Sequence, residues 1–408
     1  MADRFDLTRI PREVSAVARR LAEAGHEAWY VGGAVRDVLI DQVHGRHPGH
    51  HGDFDIATSA RPEQVQALFR RTVPVGIEHG TVAVLDEKGR LHEVTTFRRD
   101  VTTDGRHAVV AFGVAIAEDL ARRDFTINAI AVHPETGEMQ DPFGGRADIT
   151  ARRIRAVGEA PARFREDWLR VLRALRFATT LGFMIDPPTW DAVRASAGEL
   201  RHLSRERVRD EWMKTVAGHG VKAIELWREA GVLREVWPEL AGLTADHDVR
   251  MHEVAGGDPV LITAVALAAA GNASDRSAEA VRRLRFSNAD VERVRRTVAA
   301  LHAALPPHRD RVAVRRWLSG LGEGAADVLA ALPRSERQPL EATVAGIHRA
   351  HDPLRLGDLA VNGADLIAAG VPEGPAIGET LRRLLALVLE DPERNTRESL
   401  LAAARERA

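Results

Sequence analysis

The sequence of 408 residues contains no cysteine, a single tyrosine and only three lysines. Without cysteine, the chain can form neither a disulfide framework nor a thiolate metal site. It also lacks any run approaching the roughly 20 uninterrupted apolar residues of a membrane helix, and residues 1–6 lack the apolar core of a signal peptide. We therefore expect a cytoplasmic protein with no membrane partner, and nothing in the sequence predicts a protein partner.

Net charge is nearly absent as well, at −2, so overall composition does not predict a nucleic-acid partner. The charge is unevenly distributed, however. Residues 151–180 contain eight arginines and three acidic residues, a density that can follow phosphates electrostatically. Because arginine is preferred over lysine throughout the chain, the clustering of arginine carries this argument rather than its number.

Two patterns divide the chain near residue 150. Before it, short β-favouring runs alternate with helices and turns; after it, strand signals stop and helical periodicity dominates. The expected strands are 28–31, 54–57, 80–85 and 91–96. The expected helices are 11–24, 62–69 with a cap at Thr58 and Ser59, 163–180, 189–198, 204–217, 221–230 and 277–303. The predicted fold class is α+β, with a small mixed sheet and helices in an N-terminal head and an elongated all-α portion behind it.

Asp53 and Asp55 form the most informative pattern of the head. They alternate with apolar residues in segment 52–57, which predicts a short strand, and side chains two apart on a strand share one face. Both carboxylates would then offer hard oxygen ligands to one or two Mg²⁺ ions. An acidic pair on a protein surface fits the same pattern.

A glycine pair precedes the acidic pair. Gly32 and Gly33 follow the apolar run 28–31, and glycines there let backbone N–H groups approach a phosphate closely. Arg36 adds a charge-assisted contact to such a site. A tight turn would use the same two glycines, but their order and closeness to the carboxylates favour phosphoryl or nucleotidyl transfer.

Two further groups of charged residues follow in the head. Glu93 lies in the predicted strand 91–96, where it would activate an attacking hydroxyl or complete metal binding, or simply be an exposed strand acid. Arg122 and Arg123 suit a phosphate, and Asp124 suits a ribose hydroxyl. A charge cluster at a helix end is the alternative for these three.

The predicted helix 163–180 carries Glu166, Asp167, Arg170, Arg173 and Arg176. At about 100° per residue, Asp167 and Arg176 lie on opposite sides of a straight helix, so we expect Arg176 to reach a phosphate or a neighbouring element. Asp167 and Arg170 together present acceptors and donors, as reading the edge of a nucleobase requires. Ion pairing along a solvated helix face is the alternative.

In this order, the motifs resemble those of class II tRNA nucleotidyltransferases, the family of CCA-adding enzymes and bacterial poly(A) polymerases. The resemblance covers about residues 28–215 and includes the segments 122–129, 141–145 and 203–208. It implies a catalytic head over residues 1–150, a neck over 151–217, a helical body over 218–345 and a helical tail over 346–408.

The resemblance also implies residue roles and a reaction. Asp53 and Asp55 would hold the catalytic metals, and Asp167 with Arg170 would select CTP or ATP. Gly33 and Arg36 would contact the triphosphate, and Arg123 and Asp124 the ribose side of the nucleotide. Arg173 and Arg176 would support nucleotide binding. Segment 141–145 would act as a hinge between head and neck. The 3′ hydroxyl of a tRNA would attack the α-phosphate and release pyrophosphate, adding CCA without a nucleic-acid template.

Other activities of the same family stay open: CC addition, A addition and poly(A) synthesis, besides a catalytically silent RNA-binding protein. Segment 98–111, with Asp104–His107 at its centre, corresponds to a loop that the family needs for switching to ATP, and its presence favours complete CCA addition. The link 43–51 carries four histidines; we interpret it as a solvated hairpin tip rather than a metal site.

Overall fold

A computed structural model describes residues 4–45, 53–103, 108–244, 251 and 253–405. The predicted segment at Asp104–His107 and most of the histidine-rich link therefore lie outside the described residues. By its internal contacts the chain divides into two compact units. The first runs to Thr215 and includes Glu225–Val236, and the second comprises Val216–Ile224 and the chain from Trp237 onward.

A seven-stranded mixed sheet organises the first unit. The strands of the chain are β1 (Ala28–Val31), β2 (Asp55–Thr58), β3 (Thr72–Gly76), β4 (Thr81–Leu85), β5 (Leu91–Thr96), β6 (Arg98–Thr103), β7 (Ala108–Phe112), β8 (Ala131–Val132), β9 (Met139–Gln140), β10 (Arg153–Ile154) and β11 (Met184–Ile185). The sheet order is β3-β4-β5-β2-β1-β8-β9. All four residues of β1 are buried, as expected for a continuous apolar run in a sheet covered on both faces.

The pairing of β2 with β5 is parallel, whereas the other pairings of this sheet are antiparallel. Ile56 lies opposite Val94, and one position earlier in each strand come Asp55 and Glu93. Burial alternates along β5, so Val94 points into the core and Glu93 to the other face. The predicted neighbourhood of the two acidic strands is therefore confirmed.

Helices surround the sheet and continue beyond it. Up to residue 236 they are α1 (Arg12–Glu23), α2 (Gly33–His44), α3 (Pro62–Leu68), α4 (Ile116–Ala121), α5 (Gly145–Thr150), α6 (Ala160–Glu166), α7 (Leu169–Leu181), α8 (Pro187–Ala195), α9 (Arg205–Val216), α10 (Gly220–Glu229) and α11 (Val232–Val236). A short 3₁₀ turn, Thr126–Asn128, follows Asp124. Strands β6 and β7 pair as a separate antiparallel hairpin in the segment predicted to be a loop.

The described part of the second unit is built from helices. Beyond residue 237 they are α12 (Pro259–Ala269), α13 (Ser274–Arg283), α14 (Asn288–His302), α15 (Arg311–Leu321), α16 (Ala325–Ala331), α17 (Arg334–Arg349), α18 (Gly363–Ala368), α19 (Pro375–Glu390) and α20 (Arg397–Arg405). Arg315 is buried and donates to the carbonyls of Leu389 and Glu390 at the end of α19 and to Asp352. These bonds satisfy carbonyls that a helix end leaves unpaired.

With a mixed sheet in the first unit and helices in the second, the α+β fold class predicted from the sequence is confirmed.

Some predicted elements are wrong in detail. Helix 163–180 is two helices, α6 and α7, because Asp167 has extended backbone. Its carboxylate accepts the N–H of Leu169, the first residue of α7, at 3.0 Å. The prediction that Asp167 and Arg176 lie on opposite sides of one straight helix is therefore wrong. Segment 277–303 likewise contains two helices, α13 and α14, and Ser287 caps the second by accepting the N–H of Asp290.

The predicted cap of α3 is also wrong. Thr58 belongs to β2, and its hydroxyl donates to the carbonyl of Glu27 at 2.6 Å. Arg61 occupies the N-cap position instead, and its N–H donates to the side-chain oxygen of Gln64. Beyond residue 150 the strand signals do not stop completely, since β10 and β11 form a two-residue parallel pair.

Within the described part of the chain, no helix combines the length and the apolar character needed to cross a membrane.

Gly145 is placed against the turn that follows Asp124, and we predict that Gly145→Ala destabilises the protein. A Cβ at this position would lie 2.2 Å from the carbonyl oxygen of Thr126, so backbone must move. We expect a loss of about 2 kcal/mol in the free energy of unfolding, measured by urea denaturation. Gly198→Ala is the control, because nothing lies within 4 Å of its Cβ; equal stability of both variants would contradict the packing at Gly145.

Candidate functional site

A cleft of about 670 Å³ lies in the first unit, and eight arginines and four carboxylates are among its lining residues. The excess of guanidinium groups favours an anionic ligand. The lining residues are Val31, Gly32, Gly33, Arg36, Asp55, Thr81, Glu93, Thr95, Arg98, Arg122, Arg123, Asp124, Asn128, Asp167, Leu169, Arg170, Arg173, Arg176, Phe177 and Arg207. Every site residue predicted from the sequence is among them except Asp53.

The acidic part of the cleft is formed by Asp55 and Glu93 on the parallel strands. Asp53 is exposed and precedes β2 rather than lying within it. Burial raises the pKa of Asp55 to about 6, and the negative charges of Glu93 and Asp53 act in the same direction, against that of Arg123. Asp55 therefore interacts with both other carboxylates, although Glu93 lies on a different strand.

A divalent cation fits these carboxylates. Repulsion between acids raises a carboxyl pKa, and a bound cation would remove that repulsion. Among the described residues, no group of three or more histidine and acidic side chains is close enough to hold a metal ion. A metal here would thus be held by at most two of these carboxylates, together with oxygens from other groups.

Gly32 closely approaches the acidic part of the cleft. Its φ of 88° and ψ of −154° fall in a region that only glycine adopts readily, and a Cβ there would lie 2.6 Å from Oδ2 of Asp55. Helix α2 begins at Gly33, so its first N–H groups, which have no partner within the helix, lie beside the same wall of the cleft.

Arg36 is anchored from two sides. Its Nε and Nη2 contact Oδ1 of Asp37 at 2.9 Å and 2.7 Å, and its Nη1 donates to Oδ1 of Asn128 at 2.9 Å. The side chain is largely buried. Its guanidinium is therefore fixed before any ligand arrives.

One buried carboxylate, Asp119 on α4, supports both arginines of the predicted pair. It contacts Arg122 at 2.9 Å and Arg123 at 3.5 Å, and it accepts the N–H of Arg98 at the start of the β6–β7 hairpin. Burial lowers the pKa of Arg123, and the charge of Asp119 opposes that shift. Asp119 thus stabilises the charged form of Arg123.

Asp124 is buried and bonds to other protein groups through both oxygens. Oδ1 accepts the N–H of Phe125 at 2.8 Å and the amide of Asn128 at 3.0 Å, while Oδ2 accepts Nε and Nη2 of Arg173 at 2.7 Å and 2.6 Å. Burial would raise the pKa of Asp124, but the charge of Arg173 and these hydrogen bonds hold it below its usual range. Asp124 is ionised and orients Arg173.

At the far end of the cleft, Asp167 and Arg170 are held by different partners. Oδ2 of Asp167 accepts Nη2 of Arg207 at 2.7 Å, while Arg170 donates to Glu166 at 2.6 Å and to the carbonyl of Arg122 at 3.0 Å. Ser204 accepts the N–H of Arg207 at 3.4 Å, as expected at the N-terminus of α9. Residues of three segments therefore fix this end.

Arg176 reaches a neighbouring element, as one of the two predicted outcomes states. Its Nε donates to Oε2 of Glu211 on α9 at 2.7 Å, and Glu211 is buried. Its guanidinium also lies 4.2 Å from the ring centroid of Phe177.

Sequence reasoning missed several residues of this region. Asn128 and Arg207 stand inside motifs that were recognised, so their presence was visible but their partners were not. The sequence does not reveal the roles of Asp119, Glu211 and Phe177, because those roles depend on contacts with residues of other segments. The only cue in the sequence is that these charged or aromatic residues lie near the recognised motifs.

Three family models match successive parts of the chain. A "Poly A polymerase head domain" matches residues 28–155, a "Probable RNA and SrmB- binding site of polymerase A" matches 182–243, and "tRNA nucleotidyltransferase domain 2 putative" matches 261–404. The head model includes the acidic part of the cleft.

Curated relatives and solved structures agree with these matches. A CCA-adding enzyme of Geobacillus thermodenitrificans is 37% identical over 406 residues, 97% of each chain. The crystal structure of the Bacillus stearothermophilus CCA-adding enzyme in complex with CTP superposes with a TM-score of 0.80 at 34% identity, covering 97% of each chain. A Thermotoga maritima CCA-adding enzyme complexed with tRNA shares the fold, with a TM-score of 0.69 at 22% identity, covering 98% and 97% of the two chains.

Gly32→Ala is predicted to weaken divalent-cation binding, because the added Cβ would displace the carboxylate of Asp55. We expect Mn²⁺ affinity, measured by electron paramagnetic resonance, to fall on the order of 10- to 100-fold. Gly25→Ala is a matched control, since Gly25 also has a positive φ, of 82°, but nothing within 4 Å of its Cβ. A folded Gly32→Ala variant that binds Mn²⁺ as the wild type does would exclude Asp55 as a ligand.

Proposed function

The chain belongs to the class II family of CCA-adding enzymes and poly(A) polymerases, and we propose that it adds C, C and A to tRNA 3′ ends, using CTP and ATP and releasing pyrophosphate. The observation that carries the proposal is one cleft lined by acidic side chains on β2 and β5, by eight arginines, and by the pair Asp167 and Arg170. A nucleoside triphosphate presents groups that match each of these: the reacting phosphate, the charged phosphates and the base.

At the acidic part, Asp53 and Asp55 are the proposed ligands of the divalent metal that the family implies, and Mg²⁺ is the proposed ion. When bound, such an ion polarises phosphoryl oxygens and lowers the pKa of an attacking hydroxyl. The carboxylates of Asp53 and Asp55 would fix the position of the ion in the cleft, and Glu93 adds a third negative group beside Asp55. Whether Glu93 takes a proton from the RNA hydroxyl stays a prediction.

The phosphates are proposed to bind along Gly32, Gly33, Arg36 and Arg123. Backbone N–H groups at the start of α2 and charge-assisted bonds from guanidinium groups suit phosphate oxygens. For Asp124 the sequence predicts a ribose contact. Because its two oxygens already hold Arg173, Asn128 and a backbone N–H, we propose that it acts on the ribose side mainly by orienting these groups.

The base is proposed to lie against Asp167 and Arg170. Cytosine and adenine both present an amino donor beside a ring-nitrogen acceptor on the pairing edge, whereas uracil and guanine present the reverse. A carboxylate accepts from the amino group, and a guanidinium donates to the ring nitrogen. This polarity selects C and A together and rejects U and G, without a nucleic-acid template.

The remaining parts of the proposal concern the RNA and the domains. We retain a head at 1–150, a neck at 151–217, a body at 218–345 and a tail at 346–408, with tRNA as the partner. The division of contacts near Thr215 supports the neck–body boundary. Because tRNA and both nucleotides are cytoplasmic, the cytoplasm is the proposed compartment.

We expect the purified protein to extend a tRNA that ends at the discriminator base by CCA. With CTP alone, extension should stop after two cytidines, and with ATP alone only a tRNA ending in CC should gain a nucleotide. Product length on denaturing gels and sequencing of the ends measure this. Extension that stops at CC in the presence of both nucleotides, or a long adenosine tract, would contradict the proposal.

Asp55→Asn should reduce incorporation of both CMP and AMP by at least about 10³-fold, because it removes a charge from the reacting end. Single-turnover rates with tRNA ending in C and in CC measure the effect. Asp210→Asn is the control: Asp210 is exposed and contacts only the adjacent Arg209 among the recorded ion pairs of the described chain. Loss of one nucleotide alone would contradict a common catalytic role.

Asp167→Ala should relax the choice of base. Losing the acceptor for the amino group should lower the preference for CTP and ATP over UTP and GTP by about 10- to 100-fold. Competition among the four nucleotides on tRNA ending in C and in CC measures it, with Asp210→Ala as control. An unchanged preference in an active Asp167→Ala enzyme would exclude Asp167 from base selection.

A further inference from the structure

Three guanidinium groups of the cleft meet at one aromatic ring. The guanidinium carbons of Arg36, Arg173 and Arg176 lie 5.0, 5.3 and 4.2 Å from the ring centroid of Phe177. All four side chains line the cleft. Phe177 is only 4% exposed, so water does not screen these contacts strongly.

The three arginines come from two separated helices of the chain. Arg173 and Arg176 belong to α7, where Arg173 lies one turn before Phe177 and Arg176 lies one residue before it. Arg36 belongs to α2. Only a tertiary contact brings Arg36 to this ring. Phe177 in turn makes a T-shaped contact with Phe125, with centroids 5.8 Å apart and planes at 86°, which restricts the plane of the ring.

Like charges at such short separations repel each other. Burial lowers the pKa of Arg176, and the charges of Arg173 and Arg36 act in the same direction, while Glu211 opposes them. Each arginine also has its own acidic partner: Asp37, Asp124 and Glu211 respectively. These acids neutralise the charges individually, but none of them joins all three.

The aromatic ring is the shared contact. A phenyl face carries negative electrostatic potential and attracts cations within about 6 Å, and all three guanidinium groups meet that distance. Leucine would fill much of the same space without this attraction. The ring therefore stabilises a local concentration of positive charge that burial and repulsion disfavour.

We propose that Phe177 is a positioning residue that gathers Arg36, Arg173 and Arg176 into one subsite for the triphosphate of the incoming nucleotide. The inference rests on the proposed nucleotide-binding function and adds the group that organises its phosphate contacts. It also assigns Arg173 and Arg176 to the phosphates, whereas the base lies against Asp167 and Arg170. Phe177 itself need not touch the nucleotide.

The test replaces Phe177 by phenylalanine with one, two and three ring fluorines. Fluorine withdraws the negative potential of the face stepwise while ring volume hardly changes, so a purely packing role predicts no trend. The dissociation constants of CTP and of inorganic tripolyphosphate are measured in the absence of RNA by competition. We expect both to rise stepwise and by the same factor, on the order of 3- to 10-fold for the trifluorinated ring.

Steady-state kinetics provide a second measurement. KM for CTP and for ATP should rise in parallel along the series, with kcat and the choice between the nucleotides changing little. Phe177→Leu should resemble the trifluorinated protein. Trifluorination of Phe164 is the matched control, because Phe164 is fully buried and no guanidinium over its ring is recorded among the described residues.

Each outcome bears on the proposal. A flat series at Phe177, or an equal effect at Phe164, would overturn it in favour of packing. Weaker CTP binding with unchanged tripolyphosphate binding would place the ring at the base or sugar, and a wild type that does not bind tripolyphosphate would remove the subsite. A protein that shows the fluorine trend in CTP binding but does not extend tRNA would contradict the proposed function alone.

Discussion

The pairing of cleft arginines with carboxylates behind them is the constraint on which the site depends. Arg173 is held by Asp124, Arg176 by Glu211, and Arg123 by Asp119. A buried acid that loses its cation is strongly destabilising, so each pair fixes both partners. A guanidinium has five N–H donors, and these contacts occupy only some of them. The arginines are therefore oriented before a ligand binds and still have donors to offer it, which is the condition for preorganised binding.

The opposite electrostatic situation holds at the acidic part of the cleft. There the parallel pairing of β2 with β5 places Asp55 beside Glu93, since neighbouring strands lie about 4.8 Å apart. The close backbone of Gly32 confines the carboxylate of Asp55 on another side. The sheet thus holds like charges together, and a bound cation would relieve their repulsion. One cleft therefore combines arginines that are paired with acids and carboxylates that repel one another, and this difference distinguishes the proposed phosphate contacts from the proposed metal ligands.

The sequence was sufficient to predict the elements whose determinants are local. The buried run of β1 and the turn between β4 and β5 follow from apolar residues and turn residues, and β1 was located to the residue. The acidic strand was predicted with Asp53 and Asp55 on one face, but β2 begins only at Asp55. The break at Asp167 was missed, because helical periodicity continues through it and one extended residue leaves the pattern intact. Glu211 and Asp119 could not be identified as partners of cleft arginines, because they are acidic residues on ordinary amphipathic helices until α9 and α4 pack beside the cleft.

The break at Asp167 changes how the part of the cleft around Asp167 and Arg170 is held. On one continuous helix, the direction of Asp167 would be set by the backbone of α7; instead it is set by the N–H of Leu169 and by Arg207. Arg207 and Glu211 are four residues apart on α9 and so share one face, and Glu211 binds Arg176. One face of α9 thus contacts both Asp167, which lies before α7, and Arg176, which lies in the third turn of α7. The separation between the proposed base and phosphate contacts is therefore fixed by α9 as much as by α7, so a shift of α9 would move both together relative to the acidic strands.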